Sequence, residues 1–279
     1  MKKLLMATDL SARSDRALER AVQISEARGA ALTVVHVLDE GLRPAAADAE
    51  RAAAQKAIHD HVAALTVASG LRVAVEVVQG KKDAAVLGMA AKTGADLVVL
   101  GVHREDAIKD MFRGKTVERV IRTAEVPVLV VRDRPTGPYK RAMVAVDFSI
   151  FAKRAVEIAA AFVEGGAFHL IHAYHIPFKG LADNRKTAGL QQDKQFREVA
   201  AVEMAAFLAG LDVTGVEFDQ ILRQGLVRQV IDEEFARLKP DLLVIGTHGR
   251  TGITHAFLGS VAEDFLCHPP CDVLAVKAR

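Results

Sequence analysis

The feature that most constrains this chain is that it repeats itself. The apolar run Leu4-Leu5-Met6-Ala7-Thr8-Asp9-Leu10-Ser11 returns as Ala142-Met143-Val144-Ala145-Val146-Asp147-Phe148-Ser149, with the two aspartates 138 residues apart. Further on, Ala95-Asp96-Leu97-Val98-Val99-Leu100-Gly101 returns as Pro240-Asp241-Leu242-Leu243-Val244-Ile245-Gly246, and Gly80 and Gly114 return as Gly225 and Gly259, all 145 apart. A duplicated unit must be one fold made twice, because each copy carries the same apolar pattern to bury. The change of spacing requires extra residues in the second copy, placed most simply around Pro177 to Gly189. Between the copies, Asp133-Arg134-Pro135-Thr136-Gly137-Pro138 has two prolines and no periodicity, which is linker chemistry. The expected domains are 1–134 and 138–279, and 279 residues suffice for two separate cores.

Within each copy, short β-branched runs alternate with longer helical ones, the pattern of βαβ units around a parallel sheet. In the first copy the strands are predicted near Lys3 to Ala7, Ala31 to Val37, Arg72 to Val78, Leu97 to Leu100 and Val128 to Arg132. The fold class is therefore α/β, with two tandem doubly wound five-stranded parallel sheets of Rossmann-like type, whose ligands sit at the carboxyl ends of strands. Ala17, Leu18, Ala21 and Val22 fall on one helix face, and so do Phe196, Val199, Ala200, Met204 and Phe207; both stripes are read as core. The equivalent last strands, Val128 to Arg132 and Val273 to Lys277, can meet edge to edge as an intramolecular pair.

Several function classes lose support here. The formal charge is +2, and lysines and arginines are mixed among acids with no basic stripe, which argues against nucleic acid. Asp9 interrupts the first apolar stretch too early for a signal-peptide core, and no apolar run reaches bilayer length. With only Cys267 and Cys271, no disulfide framework exists, and a cytoplasmic location is expected. His169, His172 and His175 are spaced by three along a strand and so alternate faces, and Cys267-His268-Pro269-Pro270-Cys271 has no second ligand pair; no metal site is expected. Gly-x-Ser-x-Gly does not occur, leaving a nucleophile elbow without support.

The chemistry-bearing segment is the glycine-rich one in the second copy. The strand Leu242 to Ile245 enters Gly246-Thr247-His248-Gly249, and Gly259-Ser260 then opens a helix beginning Val261-Ala262. Glycines at 246 and 249 are expected to supply positive φ and close backbone approach, and Gly259-Ser260 to place N–H groups and a hydroxyl at a helix N-terminus, where anions bind. The segment is neither a Walker loop nor the Gly-x-Gly-x2-Gly of a first-strand dinucleotide turn. Asp147, at the end of its strand, can accept from a hydroxyl or an amine; it can equally cap the following helix, and the glycines can serve turns alone.

The spacing Gly246-x2-Gly249-x9-Gly259-Ser260, after a first strand ending in Asp-x-Ser, resembles the nucleotide motif of the universal stress proteins, and the resemblance covers nearly the whole chain twice. It implies ATP, with or without Mg2+, in the second copy. Ala145, Val146, Asp147 and Ala173 would line the adenine and ribose end, and Gly246, His248, Gly249, Gly259, Ser260, Val261 and Ala262 would hold ribose and phosphates, with Arg250 as a looser phosphate partner. In the first copy the second glycine is Arg104 and the serine is Lys115, while Glu105, Asp106 and Asp110 add repelling charge. The ATP site is expected to be lost there, against an opposing reading in which Gly114, Lys115 and Thr116 keep a weaker anion grip. By resemblance the protein is a stress-response regulator or nucleotide-dependent interaction protein with an adenine nucleotide as partner. A slow ATPase or autokinase, and a nucleotide-free scaffold for another small ligand, stay open, as does association of such pairs into homodimers.

Overall fold

The computed structural model describes residues 1–102, 115–175, 186–249 and 258–277. The first half runs β1 (Lys3–Thr8), α1 (Ala12–Arg28), β2 (Ala31–Leu38), α2 (Pro44–Thr66), β3 (Val73–Gln79), α3 (Lys82–Thr93), β4 (Leu97–Gly101), α4 (Lys115–Thr123) and β5 (Val128–Val131). The second half repeats it as β6 (Arg141–Ala145), α5 (Ile150–Phe162), β7 (Ala167–Tyr174), α6 (Lys186–Ala209), β8 (Phe218–Gln224), α7 (Val227–Leu238), β9 (Leu242–Gly246), α8 (Ser260–Cys267) and β10 (Asp272–Val276). Every strand expected in the first half is present, within a residue or so of its predicted ends.

All ten strands form one sheet in the order β3-β2-β1-β4-β5-β10-β9-β6-β7-β8. Each half is parallel throughout, and the halves join where β5 and β10 pair antiparallel. In that ladder Leu129 faces Leu274, Val130 faces Val273 and Val128 faces Ala275. Leu129 and Leu274 are equivalent by the repeat, so a pseudo-twofold axis passes between them and the contact is isologous within one chain. Joining the two last strands removes one edge from each sheet, and β4, β5, β9 and β10 become central and buried along their length.

Successive strand residues alternate between two apolar layers, as the two-residue period requires. Leu4, Met6, Leu97, Leu129, Val244 and Leu274 face α1, α2, α5 and α6. Leu5, Val98, Leu100, Leu243, Ile245 and Val273 face α3, α4, α7 and α8. Both layers run unbroken across the junction of the halves. On α1 the expected stripe Ala17, Leu18, Ala21 and Val22 is buried. On α6 only Ala200 and Met204 of the expected stripe are fully buried, and Val199 stands 55% exposed. The face that packs follows the four-residue ridge through Phe196, Ala200 and Met204, which leaves Val199 a third of a turn away.

The extra residues of the second copy fall between its second and third strands. β7 starts 167 − 31 = 136 residues after β2, but β8 starts 218 − 73 = 145 after β3. The chain takes residues 175–185 to pass from β7 to α6, where the first half needs only 39–43. Residues 176–185, within the segment expected to hold the insertion, lie outside the described residues.

Between the halves, residues 132–140 are pinned by one buried cluster. The Tyr139 hydroxyl donates to Asp272 Oδ2 (2.6 Å), and the Arg132 and Asp133 amides donate to Asp272 Oδ1 (2.8 and 3.3 Å). Arg20 on α1 approaches Asp272 Oδ2 at 3.3 Å, donates to the Gly137 carbonyl at 2.8 Å, and lies 4.2 Å over the Tyr139 ring. Helix α1 of the first half is thereby tied to β10 of the second through the connecting segment.

Candidate ligand clefts at the strand ends

Each half turns from its first strand into its first helix by the same device. Leu10 and Phe148, the middle residues of the two Asp-x-Ser segments, have φ of 62° and 63°. This left-handed conformation costs a non-glycine residue on the order of 1–2 kcal/mol. It is held by hydrogen bonds on both sides. The Ser149 amide and hydroxyl donate to Asp147 Oδ1 (3.1 and 2.6 Å), and Ser149 Oγ accepts from the Ala152 amide (3.1 Å). In the first half, Ser11 caps α1 by accepting from the Ser14 amide, while Asp9 Oδ1 accepts from the Ser11 amide and the Ser14 hydroxyl. The helix caps are therefore the serines. Asp147, read from sequence as a candidate cap, and its counterpart Asp9 stand one step back and brace them.

In the second half, this turn opens onto a cleft of about 280 Å³ at the carboxyl ends of β6, β7 and β9. Ala145, Val146, Asp147, Ala173, Gly246, His248, Gly249, Gly259, Val261 and Ala262, all named from sequence, line it together. Arg250 and the Ser260 side chain lie outside what is described. Six lining residues were not foreseen as site residues: Ala152 on the first turn of α5, Ile171 and His172 at the end of β7, Val227 and Ile231 on the first turns of α7, and Ile245 in β9. His172 donates through Nδ1 to the Val146 carbonyl (2.8 Å) and packs against the Phe148 ring, 4.2 Å between centroids. Its place on a strand was visible in the sequence. Val227 and Ile231 gave no signal beyond following Gly225.

The glycines act differently from the sequence expectation. Neither Gly246 nor Gly249 has positive φ, and Gly259 sits at −61°. What they provide is proximity. A Cβ on Gly246 would stand 3.1 Å from Phe151 Cβ and 3.2 Å from the Phe151 carbonyl carbon, so its absence lets α5 close on the sheet. A Cβ on Gly249 would stand 3.1 Å from Asp147 Oδ2, so that side chain faces bare backbone. Gly259 caps α8 with no side-chain hydrogen bond, leaving the first-turn amides of that helix to be satisfied from outside it. One wall is thus apolar (Val146, Ile171, Val227, Ile231), and the other presents a carboxylate and a helix N-terminus.

The first half keeps a cleft in the equivalent place, about 410 Å³, with Asp9, His36 and Gly101 standing where Asp147, His172 and Gly246 stand. His36 repeats the hydrogen bond of His172, from Nδ1 to the Thr8 carbonyl (2.9 Å). Burial pushes the Asp9 carboxyl up, but hydrogen bonds from Ser11 and Ser14 outweigh it and hold the group below its ordinary value. Thr116 lines this cleft, and Lys115 opens α4. Residues 103–114, including Arg104, Glu105, Asp106, Asp110 and Gly114, lie outside the described residues. Among the described residues, no group of three or more His, Cys, Asp or Glu could hold a metal ion, and no helix is long and apolar enough to cross a membrane.

These features define a class: an α/β protein made of two fused, doubly wound parallel sheets with paired clefts at the strand ends. The family model for the universal stress protein family matches residues 1–132 and again 138–277, and the chain belongs to that family. It is 27% identical over 226 residues to Universal stress protein E of Escherichia coli K12, covering 75% of this chain and 69% of that one. It is 31% identical over 142 residues to a Thermus aquaticus universal stress protein, covering 50% of this chain and 99% of that one. A solved universal stress protein from Archaeoglobus fulgidus superposes over 99% of this chain and 98% of its own, with a TM-score of 0.71 at 23% identity, a likeness of fold.

Proposed function

We propose that the second half, residues 138–279, binds ATP or a related adenine nucleotide in its cleft, and that the bound state is read out as a change of conformation or partner in a stress response. The observation that carries this reading is the pairing of Asp147 with bare backbone at Gly249 in the same cleft as the N-terminus of α8. In this reading the apolar wall takes the base, Asp147 accepts from a ribose hydroxyl, and Gly259, Ser260, Val261 and Ala262 offer amides to phosphate, with His248 and Arg250 flanking. Asp147 is the sole carboxylate lining the cleft among the described residues. With no second carboxylate to share Mg2+ there, binding is favoured over turnover.

Calorimetric titration of Mg-ATP tests it. One site is expected in the parent. Gly259→Ala is expected to retain it, because the added Cβ meets nothing closer than 3.5 Å. Gly259→Asp, which sets a carboxylate against the phosphates, is expected to abolish it. No heat in a parent shown free of endogenous ligand would overturn the proposal.

A further inference from the structure

The cleft of the first half differs from that of the second in a consistent direction. Thr8, Ser14, Lys82 and Thr116 stand where the second half has Val146, Ala152, Val227 and Val261, so apolar positions have become polar. Among the described residues, three charged side chains line this one cleft: Asp9 just beyond β1, Asp39 just beyond β2, and Lys82 at the start of α3. None of the three has an ion-pair partner among the described residues, although the chain pairs charges freely elsewhere. Each carboxylate already has one oxygen occupied: Asp9 Oδ1 by Ser11 and Ser14, and Asp39 Oδ1 by the Gly41 amide (2.8 Å). The floor between them remains apolar, formed by Val37, Val86, Leu100 and Val120.

Two acceptor-only carboxylates and one donor-only ammonium around an apolar floor describe their ligand by complement. Among the described residues the lining carries two carboxylates against one ammonium, which disfavours a polyphosphate. A simple carboxylate satisfies Lys82 alone, and a simple amine satisfies only the aspartates. We propose that the first-half cleft is a second binding site, for a small zwitterion of the amino-acid class with an apolar side chain. Its ammonium sits between Asp9 and Asp39, its carboxylate lies on Lys82, and its side chain rests on the valine floor. This assignment is independent of the nucleotide reading of the second half.

The test is titration of the intact protein with L-leucine, with leucine amide as the cation-only probe and 4-methylpentanoate as the anion-only probe. Leucine is expected to bind at one site about tenfold or more tighter than either probe, since each probe leaves one charge-assisted contact unmade. Lys82→Met is expected to weaken leucine about tenfold without changing leucine amide, and Asp39→Asn to weaken both while sparing 4-methylpentanoate. Mg-ATP titration of the Lys82→Met protein is expected to match the parent, which keeps this outcome separate from that of the second cleft. Absence of leucine binding by the folded parent would overturn the proposal, with valine, isoleucine and methionine equally silent. So would equal binding of leucine and 4-methylpentanoate, or leucine binding unmoved by both substitutions.

Discussion

Replacing Arg20 by methionine probes one buried contact that, beside the β5–β10 ladder, ties the two halves together. The Arg20 and Asp272 side chains are 8% and 3% exposed, and Nε stands 3.3 Å from Oδ2. Methionine replaces much of the apolar stem, so the loss falls on the guanidinium: its charge beside Asp272, its hydrogen bond to the Gly137 carbonyl and its place over the Tyr139 ring. Asp272 would retain donors from Tyr139, Arg132 and Asp133 but no countercharge. Removing one partner of a buried pair typically costs about 3–5 kcal/mol, since the other charge is left buried and uncompensated. With a few degrees of melting temperature per kcal/mol in a chain of this size, Tm should fall on the order of 10 °C. The double variant Arg20→Met/Asp272→Asn should cost less than the sum of the singles, because no buried charge then stands alone. Burial already holds the Asp272 carboxyl above its ordinary value, and losing the guanidinium lifts it further. A carboxyl that is higher in the folded than in the unfolded state stabilises fully below its unfolded value and loses that contribution as pH rises through the folded one. The deficit of Arg20→Met should therefore be smaller at a pH in the ordinary carboxylate range than at neutral pH. Urea unfolding of the four proteins at both pH values provides the measurement. A single-variant cost below about 1 kcal/mol, as for an exposed pair, would refute the reasoning.

Gly246→Ala should destabilise the protein by about 1–3 kcal/mol in urea, because its Cβ overpacks Phe151 and pushes α5 off the sheet. Arg228 on α7 pairs with Asp264 on α8 at 3.0 Å, and the equivalent first-half positions hold Asp83 and Arg119 at 3.6 Å, the same bridge with its charges exchanged. Arg228 also pairs with Asp232 at 2.8 Å, so the exchange is tested on the first-half pair: reversing either Asp83 or Arg119 alone should cost on the order of 0.2–1 kcal/mol, and reversing both should recover most of it; a double variant no better than the worse single would show that the bridge is incidental. Asp9, held below its ordinary value by Ser11 and Ser14, contributes stability above the unfolded carboxylate value that is lost as pH falls through the folded one. The stability difference between the parent and Asp9→Asn should therefore shrink on acidification from neutral pH, and a constant difference would count against the hydrogen-bonded carboxylate.

The central strands were legible because they are buried on both faces and apolar in nearly every residue, and the repeat allowed each copy to check the other. The second-half cleft was legible for the same reason: Asp147, Gly246, Gly249 and Gly259 lie at strand or helix ends, where sequence position and spatial position nearly coincide. The physical task of those glycines was not legible. Positive φ is a local property, whereas close approach to Phe151 or Asp147 depends on segments about a hundred residues away. The α6 stripe failed at Val199 because helical periodicity defines a face only to within a fraction of a turn, and packing against the sheet chooses the rest.

By itself, then, the sequence determined two copies of one α/β unit, a glycine-rich segment kept in one and altered in the other, and last strands able to meet. These follow from periodicity and from chemistry carried by neighbouring residues. The tertiary structure alone decided that the halves share one ten-stranded sheet about a pseudo-twofold axis at Leu129 and Leu274. It also decided that Arg20 and Asp272 close the junction, and that Asp9, Asp39 and Lys82 surround one cleft. Each of those juxtapositions joins residues from different elements, and only the folded backbone sets the distance between them.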